Sequence, residues 1–154
     1  MDTLFIVLHV VTAVFIVGPM AILPMTAMKA ARARNGAQVK SLATATSTFS
    51  LLSLLVFLLG FAALGMSDPK DKYSVGSPWV LWSVILFAVA LAINLFVTVP
   101  AMKRAADGLA GAGSGAGSTA DTTSIPRGYG AIAGGSGIAT LLLVAVVVLM
   151  VWKP

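Results

Sequence analysis

One side chain in this sequence is equipped for ligand chemistry inside an apolar run. His9 is the only histidine, and it sits in an uncharged stretch that begins at about Leu4. An imidazole there could ligate haem iron or copper through one ring nitrogen. A second axial ligand would have to be a thioether, and Met20, Met25 and Met66 are the candidates. Met66 is the best placed of these, because it falls at the same membrane face as His9. The plainer role for His9 is a polar residue bonded to a neighbouring helix. An ionisable group in a membrane segment is nonetheless the first place to look for function.

Little else supports catalysis. The chain has no cysteine, so thiolate metal sites and cysteine nucleophiles are excluded. No Asp, Glu, Lys or Arg lies inside any long apolar block, so a proton relay or an acid/base pair is missing. The glycine-rich stretch near residue 110 is followed by no Lys-Ser/Thr and cannot be a phosphate loop. The expectation is a protein with no catalytic residues, no metal and no resident cofactor, His9 being the one exception to test.

The other polar and small residues read as packing devices. Thr44, Thr46, Ser47, Thr48, Ser50 and Ser53 are spread around one helix, and such hydroxyls bond to their own backbone or across to a neighbour. Asn94 lies at the same depth, so a contact between it and these hydroxyls is expected; a substrate path is the sharper alternative. Gly60, Gly65, Gly134, Gly135 and Gly137 are helix-packing candidates, since small residues let membrane helices approach closely. Pro19 and Pro24, with Gly18 before them, should kink the first helix.

The elements that position these residues are four long apolar blocks. They run over about 4–28, 42–66, 79–102 and 131–152. Each exceeds the ~20 residues that cross ~30 Å of hydrocarbon as a helix. The composition agrees: 58% hydrophobic, 10% charged, with a mean hydropathy of +0.99. Soluble domains carry about a quarter charged residues. Period-two alternation is missing, which argues against a membrane barrel. The expected fold is all-α, a polytopic bundle of four transmembrane helices forming one domain. The first block lacks a basic leader and is too long for a cleaved signal, so it should remain as a helix.

Charge sets the expected orientation. Seven of the ten basic residues fall in the joints 29–41 and 103–130. Basic loops stay cytoplasmic, so both termini and the joint at 67–78 should lie outside the plasma membrane. Trp79, Trp82 and Trp152 then become anchors at the outer interface, with Tyr73 just beyond and Tyr129 at the inner face. The net charge of +5 is spread between blocks and not gathered on one face, so nucleic acid is excluded as a partner and anionic lipid is expected. Residues 106–128 read as a flexible Gly/Ala/Ser-rich cytoplasmic loop.

Two resemblances add to this. The stretch Leu-His-Val-Val-Thr-Ala-Val-Phe-Ile-Val-Gly-Pro at residues 8–19 resembles the first helix of a family of four-helix bacterial integral membrane proteins of unknown function. That family is distantly similar to copper-resistance and haem-type membrane proteins, which use several histidines where this chain has one. In length, helix number, lack of redox ligands and Ala/Gly/Val-rich composition, the chain is also similar to a small accessory subunit of the actinobacterial respiratory supercomplex. There a cytochrome bcc complex is joined to an aa3-type cytochrome c oxidase. The second resemblance implies a non-catalytic subunit packed against oxidase subunits. A small transporter or haem/copper-handling protein using His9 is the alternative.

Overall fold

The computed structural model describes residues 2–65, 77–112 and 128–152. Met66, the joint residues Asp68, Lys70, Asp71, Lys72 and Tyr73, the linker 113–127 and Lys153 lie outside these. The described chain is all helical, with six α-helices and two π-helical turns forming four spans long and apolar enough to cross a membrane. Span 1 is α1 (Asp2–Thr12), a π turn (Ala13–Val17) and α2 (Gly18–Arg32), without a break. Span 2 is α3 (Gly36–Gly65). Span 3 is α4 (Pro78–Ile93), a second π turn (Asn94–Thr98) and α5 (Val99–Ala112). Span 4 is α6 (Tyr129–Trp152).

Three helix ends run past the apolar blocks. Span 1 continues through Lys29 to Arg32, α3 begins at Gly36, and α5 continues to Ala112. The last point corrects the start of the loop read over 106–128, of which 113–127 lie outside the described residues. Residues 106–112 are helical, Ala106 is buried and Leu109 packs on the core. The reason is amphipathic: Ala105, Ala106 and Leu109 recur at helical spacing, with Lys103, Arg104 and Asp107 exposed. Composition alone hides that face.

Only three residues join α2 to α3. Arg34 takes a left-handed φ of 55°, and the Asn35 N–H returns to the Ala30 carbonyl at 3.0 Å. This satisfies carbonyls at the end of α2. Asn35 then caps α3, its side-chain oxygen accepting the Gln38 N–H at 3.0 Å.

The spans pack in a ring, each against the next and the fourth against the first. At the basic end an alanine-rich core joins all four: Ala27, Ala30, Ala31, Val39, Ala43, Ala101, Met102 and Ile132 are buried there. Alanine permits this closeness, and Gly36 extends it: a Cβ on Gly36 would lie 3.1 Å from the Ala106 carbonyl oxygen. A second core surrounds Met20, Ala90, Ala139 and Leu143. The exterior is a continuous apolar surface including Leu4, Phe15, Leu58, Phe96, Leu141 and Val151. A surface of that kind belongs in lipid.

Candidate functional site

His9 is half-buried in α1 and reaches across to span 2. Its Nδ1 lies 2.9 Å from the Val56 carbonyl oxygen. A carbonyl only accepts, so Nδ1 is the donor in this bond. Gly60 explains how the ring gets so close. It sits one turn beyond Val56, and a Cβ there would lie 3.0 Å from His9 Cε1 and 3.3 Å from Nδ1. The histidine and the glycine are one device: the missing side chain makes the slot that the imidazole fills.

The proposed thioether partners fare differently. Met20 and Met25 lie on the same continuous helix as His9, roughly three and four turns along it. Met20 is fully buried in the second core, and Met25 is exposed. Neither reaches the imidazole. Met66 lies outside the described residues. Among the described residues, no group of three or more His, Cys, Asp or Glu side chains comes together.

The expected bond between Asn94 and the α3 hydroxyls is not formed. Those hydroxyls turn back on their own helix: Thr44 to the Lys40 carbonyl, Thr46 to Leu42 and Thr48 to Thr44, at 2.8–3.2 Å. In lipid this is the nearest acceptor, always within reach four residues back. Ser53 likewise donates to the Ser50 carbonyl at 2.6 Å. Asn94 faces a crevice it shares with Met20 and Pro24 of α2 and Ser136 and Thr140 of α6. Asn94 Oδ1, Thr140 Oγ1 and Ser50 Oγ are buried without a hydrogen-bond partner. Each such group costs about 1–3 kcal/mol.

Both π turns precede a proline at the same offset. Ala13–Val17 comes two residues before Pro19, and Asn94–Thr98 two before Pro100. A proline ring in an α-helix collides with the carbonyl four residues back and brings it no N–H. Those carbonyls belong to Phe15 and Phe96, and each sits inside its π turn. Widening the turn lets the helix continue through the proline without breaking. Sequence reasoning missed this pairing. The signal was there in AVFIVGP and NLFVTVP, which share the Phe and the Pro at equal spacing.

The five glycine candidates divide sharply. Gly60 and Gly135 face the interior: a Cβ on Gly135 would lie 2.7 Å from Thr98 Oγ1. Gly65, Gly134 and Gly137 have nothing within 4 Å, and neither has Gly130. Trp79 and Trp82 sit in the first turns of α4 and Trp152 ends α6, with Trp82 and Trp152 exposed. At the other end the Arg32 guanidinium lies 5.0 Å from the centre of the Tyr129 ring. This brings the first basic joint against the start of α6, so Lys29, Arg32, Arg34, Lys40, Lys103 and Arg104, all exposed, share one end of the bundle.

Residues 3–154 match the family model described as predicted integral membrane protein (DUF2269). The chain belongs to that family. No curated protein and no solved structure matches it.

Proposed function

We propose that the protein is a non-catalytic accessory subunit of a larger membrane complex, and that this complex is a respiratory assembly of the cytochrome bcc–aa3 type. The observation that carries the first half is the open glycine face of α6. Gly130, Gly134 and Gly137 recur at four and three residues, outward, with nothing against them. Such a stripe lets a second helix's backbone approach closely, which is how membrane helices gain packing energy where water gives none. The charge-free apolar blocks and the apolar exterior suit a subunit that packs more than one that reacts. The respiratory half rests on likeness of build. In this reading the basic end is cytoplasmic, where its six exposed cations meet anionic lipid, and both termini lie outside the plasma membrane.

The test is purification of the tagged full chain in a mild detergent, with an absorbance spectrum of what comes with it. Haem bands of b, c and a types are expected, and they should be lost with Gly134→Leu while the variant keeps its helical circular dichroism. A wild-type preparation free of cytochromes sinks the proposal.

One observation favours a second reading, haem or copper handling through His9. Histidines that ligate metals commonly donate their other ring N–H to a carbonyl, as His9 does to Val56. A Soret band or stoichiometric copper in the isolated chain, absent in His9→Phe, would establish it. A colourless, copper-free chain after loading removes it.

A further inference from the structure

We propose that the crevice shared by the two bulged spans and α6 binds a bare sodium-sized cation. The proposal is independent of the accessory-subunit reading and concerns oxygens that reading does not use. Asn94 is 1% exposed, and its Oδ1 has no partner. Thr140 lines the same crevice, and its hydroxyl oxygen is equally sealed and unpartnered. Thr44, Thr46 and Thr48 all bond back to their own helix. Thr140 has the Ser136 carbonyl available in the same way and does not take it.

The lining residues beside them offer two more candidate acceptors. Pro24 has no N–H for the Met20 carbonyl four residues back, and both residues line the crevice. The Ser136 hydroxyl donates to the Ala133 carbonyl at 3.3 Å, which leaves its lone pairs free. The backbone points the same way. Asn94 opens the second π turn, and Met20 follows closely on the first. Turns of this kind release main-chain groups and recur at functional sites. Alkali ions in membrane proteins are held by neutral oxygens of this sort where helices are interrupted.

The chemistry narrows the ligand. No carboxylate lies inside an apolar block and none lines the crevice, so a divalent ion would keep twice the uncompensated charge of a sodium ion in a low-dielectric site. The crevice admits no water-sized sphere. A bare sodium or lithium ion is smaller than a water molecule, while potassium is about as large. The site should therefore prefer sodium to potassium and exclude water as its ordinary occupant.

The experiment is thermal unfolding of the purified full chain in nanodiscs, followed by tryptophan fluorescence, in NaCl, KCl and choline chloride at one ionic strength. Sodium should raise the melting temperature by a few degrees above the other two salts, rising with the logarithm of its concentration. The increment should vanish in Thr140→Val, which keeps the shape of the side chain, and in Asn94→Leu. It should persist in Thr44→Val, whose hydroxyl is exposed. Equal melting in all three salts overturns the proposal. So does an undiminished sodium increment in Thr140→Val, or variants that melt higher in every salt alike, the sign of oxygens that are merely unpaired.

Discussion

Gly134 and Gly135 are adjacent, chemically identical and opposite in their expected response to a methyl group. Gly135→Ala places a Cβ 2.7 Å from Thr98 Oγ1 and 3.4 Å from Val97 Cγ1. Real Cβ atoms do not sit that close to a heavy atom, so something must move. Thr98 is fully buried, β-branched and held in a π turn, so it has little room. Overpacking of this kind costs about 1–3 kcal/mol. Against this, exchanging Gly for Ala in a helix stabilises by roughly 0.8–1 kcal/mol. Gly134→Ala receives the second contribution alone, because nothing lies within 4 Å. The propensity term cancels between the two variants, leaving Gly135→Ala about 1–3 kcal/mol less stable than Gly134→Ala. The assay is reversible unfolding of the detergent-solubilised chain, read by tryptophan fluorescence. The double variant Gly135→Ala with Thr98→Ala removes the clashing oxygen and should recover most of the loss. Equal stabilities for the two glycine variants, or no recovery in the double variant, would refute this account of how spans 3 and 4 meet.

Other predictions follow from the same geometry. Gly60→Leu drives a branched side chain into the His9 ring and should destabilise by about 1–3 kcal/mol, read by the same unfolding assay; His9→Ala on that background should relieve it. Replacing Arg34 with glycine relaxes a left-handed main chain, so the turn between α2 and α3 should gain roughly 0.5–1 kcal/mol in unfolding free energy. Tyr129→Leu removes the ring under the Arg32 guanidinium and should cost about 0.5–1 kcal/mol, less at high salt. Hydrogen exchange should find the amides of residues 105–109 protected, since they are helical and packed; exchange at the rate of a free linker would contradict the extension of α5.

The four spans were legible from the sequence because a bilayer imposes a crude rule. Twenty uncharged apolar residues must form a helix there, whatever surrounds them. The gathering of basic residues into two joints was equally plain, and it matches their shared end of the bundle. Asn94, the glycines and the π turns were a different matter. Asn94 has four helices' worth of possible partners, and hydropathy says nothing about which it faces; the structure turned it from the α3 hydroxyls to α2 and α6. Thr44, Thr46, Thr48 and Ser53 of α3 found nearer acceptors on their own helix.

The sequence alone determined that this protein is an all-helical membrane bundle, since length, hydropathy and charge are properties summed along the chain. Tertiary structure decided which residues meet. It paired His9 with Gly60, set Gly135 against Thr98, left Gly134 uncovered, and brought the unpartnered oxygens of Asn94 and Thr140 into one crevice. These pairings depend on how each helix is rotated about its axis. In lipid that rotation is set by close packing of side chains, because an apolar exterior surrounds the helix on all sides and no hydrophobic stripe marks the inside.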